Sequence, residues 1–258
     1  MSKKLGYISS SQIQQYTFCP LWYKSIYVDE ANKVEPNAYM IYGTTVHQVL
    51  AENNKTKKAT GSDYNIERCM ELFDEFLLKN AAQERIRIDS ALASTFRMSA
   101  EMSLSYYLEN IAPCIKPLLI EEKFEITLSK YPITIKGFFD LVTEDYEIID
   151  YKTVGKQWKL DYTDKKITDS IQGNLYAVAA RKLFKQKEKR VCFCVMPRGE
   201  KICHQRCFIP NEDTINKLLG IATDIEELNK MGIYVPNLHN CSKCQLKNTC
   251  SKRVAHIR

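Results

Sequence analysis

The 258-residue chain has no apolar run approaching the length of a membrane span, so its sequence offers no transmembrane helix. The Met1-Ser2-Lys3-Lys4 start lacks the apolar stretch of a secretory signal peptide, and a cytoplasmic location is expected. Neither sign of charge is in large excess. Thirty-seven Lys and Arg against 31 Asp and Glu leave +6, which favours a polyanionic partner without establishing one. In a reducing compartment the 10 cysteines are not expected to form disulfides, and some should ligate metal. With 45% hydrophobic residues, the chain can bury the core of one large domain spanning 1–258.

The most informative stretch runs from Ile133 to Lys152, ITIKGFFDLVTEDYEIIDYK. β-Branched and aromatic residues flank the polar tripeptide Glu144-Asp145-Tyr146, which predicts two strands joined by a tight turn. A turn centred on Asp145 puts Asp140 across from Asp150. The period of two then places Lys152 on the same face. Two close carboxylates repel unless a positive charge lies between them, and hard oxygen donors suit Mg²⁺ or Mn²⁺. An ammonium just beyond them can orient a water or stabilise charge on a phosphate, a combination that describes metal-assisted phosphodiester hydrolysis. The plain alternative is a solvated hairpin with ordinary surface ion pairs.

The remaining segments frame this hairpin. Ser9 and its neighbours cap a helix over Ile13 to Phe18, which breaks at Cys19-Pro20. Thr44 or Thr45 is expected to cap a helix that carries His47 in its first turn or so, a position open to metal ligation or to simple packing. Asn53 to Gly61, rich in lysine, reads as a polar surface loop. Amphipathic helices follow over Tyr64 to Asn80 and Ser90 to Ile111, so that 53–112 is expected to form a helical cap or insertion. Leu118 to Leu128 is a strand containing Glu121 and Glu122. The loop Thr153 to Ile167 mixes Lys156, Trp158, Lys159, Lys165 and Lys166 in a manner that suits a single strand of nucleic acid, or else folds back on the core. Asp169 to Phe184 is a helix with Gln172 and Tyr176 on one face. Val191 to Val195 and Ile202 to Ile209 form a hairpin around Arg198-Gly199-Glu200, in which Cys192, Cys194, Cys203 and Cys207 are read as buried packing. Asn211 to Met231 is a helix packed on the sheet. Cys241, Cys244 and Cys250 make a C-x₂-C-x₅-C set that signals a metal and needs a fourth ligand.

The order G-T-x-x-H, G-x-x-D, D-x-K and Q-x₃-Y resembles the PD-(D/E)XK nuclease superfamily, specifically its RecB-like and Cas4-like exonuclease branch. A cysteine near the amino terminus with three near the carboxyl terminus resembles the iron-sulfur members of that branch, shared by Cas4 and the AddB-type nucleases. The resemblance covers Cys19 to Cys250 and implies an α/β fold. Its restriction-endonuclease-like core is a central mixed β-sheet flanked by helices, with a helical cap and a cysteine-rich clasp over 237–258 paired with Cys19. It implies catalytic roles for His47, Asp140, Asp150, Lys152, Gln172 and Tyr176. Mg²⁺ or Mn²⁺ would be held by His47, Asp140, Asp150 and the main-chain carbonyl of Tyr151. A [4Fe-4S] cluster would sit on Cys19, Cys241, Cys244 and Cys250. Zinc is the alternative occupant, with His239 a further zinc ligand that would leave Cys19 unexplained. Relatives often carry a glutamate in the strand before G-x-x-D, and Glu121 and Glu122 are equally placed to match it. Both are read as supporting residues at the edge of the site.

The expected function is metal-dependent hydrolysis of DNA, by an exonuclease acting on single strands or ends. Protein partners would lie in repair, recombination or CRISPR adaptation. A DNA-binding or complex-forming subunit that keeps the fold without catalysis is the alternative.

Overall fold

The computed structural model describes residues 6–31, 35–155, 159, 161–248 and 250. By chain contacts it divides into two units, one of residues 1–34, 125–137 and 212–258, the other of 35–124 and 138–211. Lys156 and Trp158, two of the five residues of the expected basic-aromatic loop, lie outside the described residues.

The second unit holds most of a five-stranded mixed sheet in the order β1 (Pro117–Thr127), β2 (Thr134–Thr143), β3 (Glu147–Val154), β4 (Arg190–Pro197), β5 (His204–Phe208). β2 and β3 are antiparallel, β3 and β4 parallel, β4 and β5 antiparallel. The parallel pair needs a crossover, supplied by α6 (Asp164–Thr168) and α7 (Ile171–Phe184). Gly173 lets α7 approach closely, since a Cβ there would lie 2.8 Å from the Phe208 ring. β3 and β4 are buried almost throughout, as central strands covered on both faces should be.

Three long helices share a core with this sheet: α3 (Ala38–Thr60), α4 (Ile66–Gln83) and α5 (Ser90–Asn110). Val46, Leu50, Phe73, Phe96, Leu104 and Tyr107 meet Leu141, Ile149 and Tyr151 there. Each large apolar side chain so enclosed contributes roughly 1.5–3 kcal/mol.

Two expectations need correction. Asn53 to Gly61 is not a loop: α3 starts at an Asn37 cap and runs to Thr60 before Gly61 ends it with φ +81°. Its polar residues are spent on tertiary contacts, because Asn53 holds Asp63 and the Tyr64 N–H while Lys57 pairs with Asp63 at 2.7 Å. His47 therefore lies in the third turn rather than the first. The second correction concerns the cysteines, since Cys192 and Cys207 are joined by a disulfide. They are directly opposite on β4 and β5, with Cα atoms 4.0 Å apart, a juxtaposition that strand alternation alone does not reveal. Cys194 and Cys203 are buried thiols, as expected.

The first unit contains α1 (Ser10–Phe18), α2 (Pro20–Tyr23) and α8 (Glu212–Met231). Ser9 and Gln12 form a capping box on α1, satisfying two backbone N–H groups reciprocally. Tyr16, Tyr23 and Tyr234 gather in this unit, where Asn229 donates to the Tyr23 hydroxyl at 2.9 Å. Among the described residues no helix is long and apolar enough to cross a membrane.

Candidate active site

The hairpin register pairs Leu141 with Ile149 and Val142 with Ile148. One step further along the same register sets Asp140 opposite Asp150. The Asp140 side chain is 12% exposed, and its Oδ2 accepts the Tyr151 N–H at 2.8 Å. Asp150 is buried, a placement that an ionised carboxylate tolerates only with partners. Lys152 Nζ stands 2.6 Å from its Oδ2, as the period of two requires.

α7 supplies the remaining partners. Gln172 Nε2 donates to Asp150 Oδ1 at 2.8 Å and to the Tyr176 hydroxyl at 2.7 Å, while its Oε1 accepts from Lys152 Nζ at 2.9 Å. The Tyr176 hydroxyl also donates to Asp150 Oδ1 at 3.3 Å. The glutamine and tyrosine thus fix both the acid and the ammonium of β3.

α3 brings His47 from the opposite side, with Nδ1 3.4 Å from Asp140 Oδ2. Gly43, one turn earlier, permits this approach, because a Cβ there would meet the Thr153 hydroxyl at 2.9 Å. β1 brings Glu121. One donor atom each from His47, Glu121 and Asp140 lies within 4.8 Å of the others. Glu121 adopts φ +49° in mid-strand, a left-handed conformation rare for a side-chain-bearing residue. Two adjacent glutamates matched the expected position equally well, and this break in β1 sets simple strand alternation aside at Glu121.

The sequence matches the PD-(D/E)XK nuclease superfamily over residues 7–251. The chain belongs to this superfamily. No curated protein sequence matches it. Among solved structures it is similar to a candidate exonuclease from Eubacterium rectale, at 13% identity and a TM-score of 0.65, covering 98% of this chain and 91% of that one. The structure of SSO0001 aligns over 98% of this chain and 89% of its own at 13% identity, with a TM-score of 0.42. The first likeness shows the fold and accords with the mixed sheet flanked by helices.

In this PD-(D/E)XK site the acids crowd one another. Burial, then Asp150, pushes the Asp140 carboxyl up to about 6 against the pull of His47, the Tyr151 N–H and Lys152. Although Glu121 as a residue is exposed, its carboxyl group sits in the cleft, and that enclosure followed by Asp140 raises it to about 7 while Lys55 opposes. Imidazole nitrogen and carboxylate oxygens are a donor set suited to a small divalent cation, which would relieve the same repulsion. The residues fit that ion.

Behind the nuclease site, Tyr151 turns its side chain away from the acids. Its hydroxyl accepts from Asn54 Nδ2 of α3 at 3.0 Å and shares a 2.8 Å hydrogen bond with the Tyr107 hydroxyl of α5. The His47 ring meets the Tyr151 ring edge-on at 6.0 Å. This buried tie between α3, α5 and β3 carries no motif and was not foreseen.

The cysteines expected to hold a cluster lie in the first unit. Asn240 Nδ2 donates to the Phe18 carbonyl at 2.7 Å, which sets the segment at Cys19 beside the one at Cys241. Burial raises the Cys244 thiol, and neighbouring Cys19, Cys250 and Cys241 raise it further. Cys19, though far away in sequence, is thus near enough to Cys244 to act on its ionisation.

Proposed function

We propose that the chain is a divalent-metal-dependent deoxyribonuclease that degrades DNA from ends or as single strands. The observation carrying this reading is the convergence of His47, Glu121 and Asp140 beside an ammonium, Lys152, that is held in place from two sides. His47, Glu121 and Asp140 would hold Mg²⁺ or Mn²⁺, with Asp150 and the Tyr151 carbonyl as further ligands. Bound there, the ion supplies Lewis-acid stabilisation of the phosphate and an activated water.

The protein's own groups do the rest. Gln172 and Tyr176 keep Asp150 in one orientation through its Oδ1. Gln172 Oε1 aims the Lys152 ammonium, whose remaining protons can orient the attacking water and meet charge developing on the phosphate. The Tyr151 N–H fixes the second Asp140 oxygen, so neither acid must reorganise during the reaction.

For the four thiols we propose a [4Fe-4S] cluster. Thiolate ligation suits iron-sulfur or zinc, and the Cys19 plus C-x₂-C-x₅-C arrangement favours the former. The cluster would link the chain's two ends within the first unit.

The test is incubation of the intact protein with labelled linear and circular single strands and with duplex, in Mg²⁺, Mn²⁺ or EDTA. Metal-dependent shortening of linear strands with circles spared supports the reading. Equal cleavage of circles removes the exonuclease assignment, and no cleavage beside an active control nuclease removes the enzyme.

A further inference from the structure

Next to the metal-ligand group the second unit has a cleft of about 600 Å³, reaching from His47 and Glu121 to Phe76 and Lys79 of α4. It is within the size range of small-ligand sites, roughly 300–1,000 Å³, and suits a nucleotide-sized guest rather than a stacked duplex. Its long wall is one face of α3. His47, Ala51 and Lys55 recur every fourth residue, so the wall extends about 12 Å along the helix axis.

The polar groups along this wall are arranged for a ligand. Asn80 Nδ2 donates to Gln48 Oε1 at 2.8 Å and to Thr45 Oγ1 at 3.1 Å. Gln48 lines the cleft beside His47, and with its oxygen so occupied its amide retains its N–H donors for a ligand. Lys79 has no carboxylate partner among the described residues, and Lys55 is held by Glu52 at 2.7 Å. Phe76 rests on the helical core by one side and lines the cleft by the other. A ring, two ammonium groups and an oriented amide donor match the demands of a nucleotide with an unpaired base.

We propose that this cleft is a subsite for the nucleotide adjoining the cleaved bond. The base stacks on Phe76, Lys79 and Lys55 hold phosphate oxygens, and Gln48 donates to base or phosphate. The substrate must therefore be unpaired where it enters, and a mononucleotide product would compete for the same space. The inference rests on the nuclease reading only for the word cleaved.

The test measures binding of a fluorescent oligodeoxythymidylate and of a blunt duplex in Ca²⁺, with deoxythymidine monophosphate as competitor, alongside cleavage in Mn²⁺. Phe76→Leu keeps apolar bulk for the core and removes the ring, and Lys79→Ala changes an exposed position. Thermal melts verify that both fold. Phe76→Leu should weaken single-strand binding about tenfold, in line with the loss of one base-aromatic stack, and Phe76→Tyr should retain it. Lys79→Ala should weaken binding and lessen its salt dependence. Duplex binding should change little in each case. If wild type cleaves but both variants bind the strand within twofold of it, the subsite is wrong. If wild type fails to cleave yet the variants lose strand binding, the subsite stands and the nuclease reading falls.

Discussion

Replacing Tyr151 with Phe removes one oxygen, 97 residues in sequence from Asn54, and should disturb both stability and metal binding. Tyr107 and Tyr151 are buried at 0% and 1% exposure and Asn54 at 1%, so no water replaces the lost hydroxyl. Burial holds both tyrosine hydroxyls well above their ordinary pKa, and they act as neutral hydrogen-bonding groups. The substitution strands the Asn54 amide and leaves the Tyr107 hydroxyl short of its partner. At about 1–3 kcal/mol for the stranded amide and about 1 kcal/mol for the hydroxyl's lost hydrogen bond, the expected loss is about 2–4 kcal/mol. For a chain of this size that is a fall of about 4–16 °C in melting temperature. Because Asn54 is on the helix that carries His47, the Mn²⁺ concentration giving half-maximal cleavage should rise about tenfold, the usual scale for residues that orient ligands. Tyr107→Phe removes only one of the two hydrogen bonds and should show the smaller loss. A Tyr151→Phe protein melting within 1 °C of wild type, with an unchanged Mn²⁺ titration, would refute the reasoning.

Gln172→Ala should lower kcat about 10–100-fold with little change in KM, since it removes the groups that aim Lys152 and Asp150 without touching the cleft; Gln172→Glu should be worse, because it sets another carboxylate against Asp150. In the metal-free protein the Glu121 and Asp140 carboxyls, raised to about 7 and about 6, titrate above their unfolded values near 4. Their contribution to metal-free stability is fully present below about pH 4 and is lost as pH rises through 6 to 7. Metal binding must displace those protons, so the gain in melting temperature on adding Mn²⁺ should be larger at pH 7.5 than at 5.5, and equal gains would contradict the assignment. Anaerobically purified protein should be brown, and Cys19→Ala should lose most of its iron and sulfide and melt lower; colourless protein holding one zinc would overturn the cluster assignment.

How much of this was legible in the sequence depended on the range of the forces involved. The β2–β3 hairpin was readable because alternation and a polar turn are local, and they fixed Asp140, Asp150 and Lys152 on one face. Gln172 and Tyr176 were readable for the same reason on a helix. Glu121 was visible as half of an Glu-Glu pair, but its left-handed backbone sets strand alternation aside at that residue. The lysine-rich end of α3 looked like a loop because its helical state is upheld by Asp63, Tyr64 and Gly61, which lie beyond the segment itself. The Cys192–Cys207 bond and the Asn54–Tyr151–Tyr107 tie depend on register and packing between distant elements, and no short pattern encodes either.

The central claim is that His47, Glu121 and Asp140 form a metal-dependent centre for DNA hydrolysis. It is tested most directly by the cleavage rate of end-labelled linear single-stranded DNA in matched Mn²⁺, with wild type and Glu121→Gln compared. This glutamate is the proposed ligand that the motifs alone left undecided between Glu121 and Glu122. The account predicts EDTA-sensitive cleavage by wild type and a loss of at least about tenfold in the folded variant, partly recovered at high Mn²⁺. Equal rates and equal Mn²⁺ dependence in the two proteins would contradict it.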